Sequence, residues 1–287
     1  MTAAAEVSSA APGLEGAGPI PALLLHSRPE EVLEVVGECP DLEWVAAREP
    51  GEVKRCLSEH APQVVFSIKT ATFSGPSHGE ALSWKSVRWF HVGGSGRDHL
   101  PLWDPARVTV TDSAGVLAPF LAERTLAGLL ALGTGLHEQL REQRRARWSP
   151  TRFRPLAGRT MVLVGLGRTG AEVAQRARAL GMRVVGVRAS GEAHPAADEV
   201  HGPEALDKLL PRADVLSLHV RLTTETEGMI GARELALLPN GALVLNAARG
   251  AVLSEAGLLD ALEQNVARAW LDVFEEEPLP ELNPLWR

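Results

Sequence analysis

The chain has 287 residues, 45% of them hydrophobic, and a formal net charge of −7. This composition is typical of a globular protein with room for two domains. The negative charge, without any run of Lys and Arg, argues against a nucleic-acid partner. No apolar stretch reaches the roughly 18 residues of a membrane span. The two cysteines, Cys39 and Cys56, predict neither a disulfide framework nor a metal site, which favours reduced thiols in a cytoplasmic protein.

The N-terminal part of the chain predicts a tail followed by a small α/β domain. Residues 1–19 are mostly Ala, Ser, Gly and Pro with no basic residue, unlike a secretory signal, and predict a disordered tail. Strands and helices then alternate, a pattern that indicates parallel strand pairing. The predicted strands cover residues 20–26, 42–47, 64–68 and 87–92, and the predicted helices cover 29–37 and 51–59. We therefore assign residues 20–112 to a first α/β domain.

A glycine-rich stretch, Gly93, Gly94 and Ser95, follows the last of these strands. Open α/β sheets bind ligands beyond the carboxyl ends of their strands. The free N–H groups of such a loop are suited to holding a carboxylate. A plain connecting turn is the alternative, and the residues alone favour neither.

The next segment predicts the passage to a second domain, residues 113–287. A short strand at 108–111 precedes a stretch in which apolar residues recur with helical spacing, which predicts one long helix over 115–140. The Arg-rich segment 141–157 that follows is either a solvated connection or, through Trp148, a subunit contact.

The centre of the second domain is a strand, a glycine-rich turn and the start of a helix. The strand is the apolar run 161–164, and the turn reads Gly165-Leu-Gly167-Arg168-Thr169-Gly170. In a dinucleotide site the first glycine permits the tight turn, the second lets the backbone approach the pyrophosphate, and the third lets the helix pack closely on the strand. The pyrophosphate then lies at the positive N-terminus of the helix. The context of strand and helix makes this motif stronger than three glycines alone.

Arg188 follows the next predicted strand, 182–187, and Ser190 comes two residues later. An Asp or Glu about twenty residues after the first glycine binds the ribose 2′-hydroxyl of NAD, whereas an arginine accommodates the 2′-phosphate of NADP. Arg188 therefore favours NADP, with NAD as a possible cofactor. The alternative is an ordinary exposed arginine.

Later predicted strands cover 213–220, 241–246 and 268–274, and three charged residues lie at or just beyond the ends of the last two of them. They are Arg249, Asp272 and Glu277. Parallel strands bring their carboxyl ends to one edge of the sheet, so these side chains are expected at the same edge as the glycine turn, where open α/β sheets bind ligands.

Several of these stretches together resemble one known family. They are Gly165-Leu-Gly-Arg-Thr-Gly170, Leu222-Thr-Thr-Glu-Thr226, Gly241-Ala-Leu-Val-Leu-Asn-Ala-Ala-Arg-Gly250 and Leu271-Asp-Val-Phe-Glu-Glu-Glu-Pro-Leu-Pro280. The chain resembles the D-isomer-specific 2-hydroxyacid dehydrogenases, and among them the glyoxylate/hydroxypyruvate reductase branch, from about Val64 to its end. The resemblance implies two Rossmann-like α/β domains, a flavodoxin-like substrate domain and an NAD(P)-binding Rossmann domain, with an interdomain cleft. It also implies NAD(P)H-dependent reduction of a short 2-keto acid to the D-2-hydroxy acid by a homodimer.

The resemblance also implies residue roles. Backbone groups of Gly93, Gly94 and Ser95 would bind the substrate carboxylate, and Arg249 would bind the carboxylate and the keto oxygen. Glu277 would orient a catalytic histidine and raise its pKa. To the cofactor-binding residues of the glycine turn and the next strand end, which are Gly165, Gly167, Arg168, Thr169, Gly170, Arg188 and Ser190, the resemblance adds Val220, Thr226, Ala247 and Asp272. Of these, Asp272 would hold the nicotinamide carboxamide.

The chain departs from the family pattern at two places. Arg221 stands where relatives usually have proline, and no histidine follows Glu277, whereas relatives carry the catalytic histidine in a later Pro-His pair. We expect that the chain is a truncated form of an active enzyme, with reduced stability and an exposed apolar patch on the first domain. The alternative is a catalytically silent module that binds or senses the nicotinamide cofactor without a general acid.

Overall fold

Two parallel β-sheets, one in each half of the chain, organise the computed structural model. The chain forms two compact units, residues 1–114 and 115–287. The residues that the structure describes are 14, 18–36, 39–68, 70, 72–73, 75–94, 96–97, 99–150, 153–264 and 267–286. Most of the predicted N-terminal tail and Ser95 lie outside these residues. None of the helices in the described part of the chain is long and apolar enough to cross a membrane.

The first unit contains a five-stranded parallel sheet with strand order β2-β1-β3-β4-β5. The strands are β1 (Ile20–Leu25), β2 (Leu42–Ala47), β3 (Val64–Ser67), β4 (Trp89–Val92) and β5 (Thr109–Asp112). The helices are α1 (Pro29–Val36), α2 (Pro50–His60) and α3 (Gly75–Ser83). Leu23 and Leu25 of β1 are fully buried and share a core with Val53 and Leu57 of α2, which explains the unbroken apolar sequence of this strand.

The predicted single helix over 115–140 is wrong, because the structure contains two helices there. They are α4 (Ala118–Thr134) and α5 (Leu136–Arg144). Gly135 separates them in the left-handed conformation with φ of 71°, and its N–H bonds to the Ala131 carbonyl as in a helix C-terminus. A glycine adopts this conformation without the steric cost of a Cβ atom, which explains why the helix ends there.

The second unit contains a six-stranded parallel sheet with strand order β11-β10-β9-β6-β7-β8. The strands are β6 (Thr160–Val164), β7 (Arg183–Val187), β8 (Glu199–His201), β9 (Val215–Leu218), β10 (Ala242–Asn246) and β11 (Ala267–Leu271). The remaining helices are α6 (Arg168–Ala179), α7 (Leu206–Leu209), α8 (Ala232–Leu235) and α9 (Glu255–Glu263). The prediction of two α/β domains with parallel sheets is confirmed.

Both faces of the second sheet are covered. Helices α4 and α6 pack on the face that carries Leu163, Leu245 and Trp270. The opposite face packs against the α7–α9 side of the unit, through residues such as Leu216 and Val244. Because both faces are buried, the middle strands β6, β9 and β10 read as continuous apolar runs, which made them predictable from the sequence.

Candidate active site

The carboxyl edge of the second sheet is formed by one row of residues, each lying one position beyond a strand. Their backbone N–H groups donate to the last residue of the neighbouring strand, at N–O distances of 2.7 to 3.3 Å. In order along the edge these residues are Asp272, Ala247, His219, Gly165 and Arg188. Four strand spacings make the row about 19 Å long. Neighbours in a parallel sheet share a face, so this row lies on the side covered by α4 and α6. Four of its five members are predicted site residues.

The order in which successive strands are added to the sheet reverses at β6. From β6 the chain continues through β7 to β8 on one side, and β9 then begins on the other side of β6. Ligands of open α/β sheets bind at such a reversal of strand order, beyond the strand ends. The turn that follows β6 therefore lies at the position where a crevice for a ligand is expected.

The three glycines of that turn have different surroundings. Gly165 has φ of 104°, and an added Cβ atom would lie 2.6 Å from the carbonyl of His219. At Gly170 a Cβ atom would lie 2.0 Å from the carbonyl oxygen of Gly165. Gly167 has no heavy atom within 4 Å of its Cβ position. Gly165 and Gly170 are thus required by close packing, whereas Gly167 faces open space where a phosphate can approach its backbone.

Helix α6 begins directly at this open space. Gly167 is its N-cap and supplies no side chain to the first turn, which Arg168, Thr169 and Gly170 begin. The first N–H groups of a helix have no partner within the helix and carry the positive end of its dipole. This turn therefore offers an anion site of the kind that binds pyrophosphate. The Arg168 side chain also contacts Gly115, where a Cβ atom would lie 2.7 Å from its Cδ.

Arg188 lies at the β7 end of the row. Its backbone N–H donates to the His201 carbonyl at 3.0 Å. Within the described part of the chain, its guanidinium has no hydrogen bond or ion pair, so all its donors are available to a ligand. Ser190 is exposed, and its Oγ accepts a hydrogen bond from the Glu192 N–H at 3.3 Å in the turn that follows.

His219 occupies the middle of the row. Its Nε2 is 2.8 Å from the Ser217 Oγ, and its Nδ1 is buried without a partner among the described residues. Burial lowers the pKa of His219 to about 4, which keeps the ring neutral near pH 7. A general acid for physiological conditions needs a pKa near neutrality, so His219 is not suited to that role.

The loop after β10 is fixed by a residue that the sequence reasoning did not assign. Asn246 is buried; its Nδ2 donates to the Arg249 carbonyl at 3.1 Å, and its Oδ1 accepts from the Ala248 N–H at 3.0 Å. The Arg249 Nη1 donates to the Ala248 carbonyl at 2.8 Å. A polar side chain ending a fully buried strand was the available signal, because such a group needs hydrogen-bond partners.

Gly250 brings this loop against the segment after β11. A Cβ atom at Gly250 would lie 1.9 Å from the Phe274 carbonyl carbon, so the two backbones are in direct contact. Glu277 is exposed, and its Oε1 accepts a hydrogen bond from the Phe274 N–H at 3.1 Å. The structure therefore places the Arg249 loop and the Glu277 segment side by side, while the Glu277 carboxylate bonds within its own segment.

The predicted cofactor-lining residues Val220 and Thr226 belong to the loop after β9. Val220 is partly buried against the core. The Thr226 Oγ1 donates to the Arg221 carbonyl at 2.6 Å and accepts from the Thr223 N–H at 2.8 Å. Thr226 therefore closes the turn from Arg221 to Thr226 with its hydroxyl group.

Asp272 has a charged partner that the sequence did not suggest. The Nε of Arg124, on α4, is 2.5 Å from the Asp272 Oδ1. The Asp272 side chain is 15% exposed and the Arg124 side chain is 68% exposed. The two residues are 148 positions apart in the chain, and no local sequence pattern links them.

In the first unit, the glycine loop follows β4. The Gly93 N–H donates to the Ser67 carbonyl at 2.8 Å, so it belongs to the hydrogen bonding of the sheet. A Cβ atom at Gly93 would lie 2.6 Å from Ile68, whereas the Cβ position of Gly94 is open. The Gly94 N–H has no partner among the described residues, so this donor is available to a ligand. Ser95 is not among those residues.

A family model, the NAD binding domain of the D-isomer specific 2-hydroxyacid dehydrogenases, matches residues 126–287. A glyoxylate reductase from Thermococcus litoralis is 39% identical over 183 residues, which cover 60% of this chain and 55% of the relative. The chain spans between about a third and just over half of the length of the first curated relatives that it matches.

Solved structures agree with this match. A D-isomer specific 2-hydroxyacid dehydrogenase family protein from Aeromonas salmonicida has a TM-score of 0.78 and 27% identity, with 94% of this chain and 86% of that chain covered. A D-isomer specific 2-hydroxyacid dehydrogenase from Xanthobacter autotrophicus, in complex with NADPH and MES, has a TM-score of 0.56 and 35% identity over 60% of this chain and 71% of that one.

Proposed function

The chain belongs to the D-isomer specific 2-hydroxyacid dehydrogenase family, and from that premise we propose that it reduces a short 2-keto acid, such as glyoxylate or hydroxypyruvate, to the D-2-hydroxy acid with NADPH. The observation that carries the proposal is the row of residues at the carboxyl edge of the second sheet. This row combines an open glycine turn at a helix N-terminus with Arg188 at one end and Asp272 at the other. The name of the Thermococcus relative, glyoxylate reductase, supports the substrate class.

The row and the glycine turn beside it suit the parts of a dinucleotide. The open space at Gly167 and the first turn of α6 suit the pyrophosphate. Arg188 suits the 2′-phosphate of NADP, because its guanidinium has no partner among the described residues. On the β9–β11 side of the edge, Asp272 would hold the nicotinamide half, because it has a carboxylate oxygen that can accept a bond from the carboxamide.

The bound nicotinamide supplies the hydride for the keto carbon. We assign Arg249 to the substrate, because a fixed cation stabilises the negative charge that develops on the keto oxygen. Asn246 and the contact at Gly250 hold the Arg249 loop in place, which reduces the reorganisation needed during the reaction. The Gly94 N–H is assigned to a substrate carboxylate. Glu277 is assigned to positioning a catalytic histidine, the group that the family resemblance implies as the donor of the proton to the keto oxygen.

The test is NADPH oxidation, followed by absorbance, with glyoxylate and with hydroxypyruvate. Arg249→Ala is expected to lower kcat/KM by about 100-fold or more, as for the loss of one oxyanion donor, while NADPH still binds. Arg178→Gln is the control, because Arg178 pairs with Asp198 near the opposite edge of the sheet. An Arg249→Ala variant with normal kcat/KM would show that Arg249 does not act on the substrate.

A second function has one observation in its favour. The histidine of the edge row, His219, stays neutral with a pKa of about 4, so it is not a proton donor at neutral pH. A chain that binds NADPH but turns over neither 2-keto acid would be a cofactor-binding or sensing module. The same assay, combined with a fluorescence titration of NADPH, separates the two functions.

Cofactor choice is tested at Arg188. Loss of a charge-assisted contact costs about 1.5–3 kcal/mol, so Arg188→Ala is expected to weaken NADPH binding by about 10- to 100-fold. NADH lacks the 2′-phosphate, and its affinity should change by less than about twofold. Equal losses for both cofactors would contradict the assignment.

We further propose that the chain forms a homodimer through its second unit. Four large apolar side chains on α5 and in the segment after it are exposed: Leu136, Leu140, Trp148 and Phe153. Trp148 is 97% exposed, so its whole ring is available for contact with a second copy of the chain. Sedimentation velocity should show a dimer for the wild type and a weaker dimer for Trp148→Ser. A wild-type protein that is monomeric at micromolar concentration would refute this proposal.

A further inference from the structure

The ion pair between Arg124 and Asp272 is built into the packing of α4 on β11. Trp270 and Asp272 lie on the same face of the sheet, two residues apart. Arg124 and Gly128 lie on the same face of α4, one turn apart. The Trp270 ring packs so closely on Gly128 that a Cβ atom there would lie 2.4 Å from it. The packing of Trp270 against Gly128 therefore also brings Asp272 next to Arg124.

The position of this pair along the edge determines what it can act on. Arg188 and Asp272 occupy opposite ends of the row, with the glycine turn between them. A dinucleotide with its pyrophosphate at the turn and its 2′-phosphate at Arg188 directs its nicotinamide toward the Asp272 end. The inference rests on the proposed function in this respect.

The oxidised nicotinamide ring carries one more positive charge than the reduced ring. A carboxylate at its side, such as that of Asp272 alone, would favour the oxidised form. Arg124 adds one positive charge at 2.5 Å from the Asp272 Oδ1, so the pair has no net charge. A neutral pair removes this advantage of the oxidised form over the reduced form.

We propose that Arg124 is a positioning residue that adjusts the cofactor preference of the site toward the reduced form, by neutralising Asp272. It also fixes Oδ1 and leaves Oδ2 of Asp272 for the carboxamide. The effect matches a reductase, because reduction begins with the binding of reduced cofactor and ends with the release of oxidised cofactor.

The test compares four proteins that differ in the net charge of the pair or in the residues that produce it. The pair has net charge 0 in the wild type, −1 in Arg124→Gln, +1 in Asp272→Asn and 0 in the double variant. Unit charges about 6 Å apart at an effective dielectric constant of about 40 interact strongly enough to change a binding ratio about tenfold. That factor corresponds to about 1.4 kcal/mol.

The experiment measures the dissociation constants of NADPH, by its fluorescence, and of NADP⁺, by competition, for all four proteins. The ratio of the constant for NADPH to that for NADP⁺ is expected to rise about tenfold in Arg124→Gln and to fall in Asp272→Asn. The double variant should return to within about twofold of the wild type. Should the protein bind NADH and NAD⁺ in preference, the same ratio is measured with that pair.

Arg178→Gln is the matched control, because Arg178 also pairs through its Nε with an aspartate, Asp198, at 3.0 Å and near the opposite edge of the sheet. Its ratio should equal that of the wild type. An Arg124→Gln variant that weakens both cofactors equally, or leaves their ratio unchanged, would overturn the inference and give Arg124 a structural role. Wild-type protein that binds neither cofactor would refute the proposed function, and this inference with it, before any variant is compared.

Discussion

Stability at acidic pH offers a sharp test of the packing in the first unit. His78, on α3, is fully buried, and its Nε2 is 2.8 Å from the Ser67 Oγ. Its Nδ1 is buried without a partner among the described residues. Burial, and secondarily the nearby His99, lower the pKa of His78 from 6.5 to about 4. The folded protein thus takes up a proton at His78 at much lower pH than the unfolded chain does.

The direction of the effect follows from this difference. Between pH 6.5 and pH 4 the unfolded chain binds more protons than the folded protein, so folding stability falls as pH decreases. The contribution of His78 is complete above pH 6.5 and is lost toward pH 4. With these pKa values, linkage gives a loss of about 2 kcal/mol between pH 7 and pH 5.

The assay is urea unfolding at pH 7, 6 and 5, followed by intrinsic tryptophan fluorescence. His78→Gln removes the titrating group and should reduce the fall in unfolding free energy between pH 7 and pH 5 by about 2 kcal/mol. His60→Gln is the matched control, because it makes the same substitution at a side chain that is 49% exposed. A His78→Gln protein with the pH dependence of the wild type would refute the reasoning.

Three substitutions at the edge of the second sheet test the remaining geometry. Gly170→Ala forces a Cβ atom against the Gly165 carbonyl and should cost about 1–3 kcal/mol of stability; an unchanged melting temperature in calorimetry would contradict this. Gly167→Ala meets no neighbour, so we expect an unchanged melting temperature and weaker NADPH binding in a fluorescence titration, whereas unchanged affinity would place the pyrophosphate elsewhere. Asn246→Ala removes the partner of the Ala248 N–H and one of the two partners of the Arg249 carbonyl, which also accepts from the Val252 N–H, and should cost about 1–3 kcal/mol in urea unfolding, whereas Asn283→Ala, a matched control at a partly buried Asn away from the β10 loop, should cost less.

The sequence predicted the central parts of both sheets because burial on two faces demands continuous apolar runs. It did not predict β8, because Glu199-Val-His201 is a short, partly polar edge strand without such a run. It did not predict α3 either, because Gly75–Ser83 contains two glycines, a proline and few apolar residues. For α4 and α5 the apolar spacing indicates helix, but that spacing continues across Gly135 and so does not show that one helix ends and another begins there.

The candidate site likewise contains some features that the sequence predicts and others that it does not. The glycine turn, Arg188 and Asp272 were predictable because a parallel sheet brings every strand end to one edge, whatever the order of the strands. The partners that fix these residues were not predictable. Arg124 reaches Asp272 only through the packing of α4 on β11, and such a contact between distant segments has no local sequence signal.

Three of the four charged residues at this edge have side chains that are already held by a hydrogen bond or an ion pair. Arg249 is bonded to the Ala248 carbonyl, Asp272 to Arg124, and Glu277 to the Phe274 N–H. Each side chain is thus restrained before any ligand binds, and a restrained charge stabilises a developing charge without first having to reorient. Arg188 differs, because its guanidinium has no such bond within the described residues. We therefore expect ordering of Arg188 to accompany cofactor binding, which nuclear magnetic resonance of its Nε–H group would detect as a new, protected signal only in the presence of NADPH.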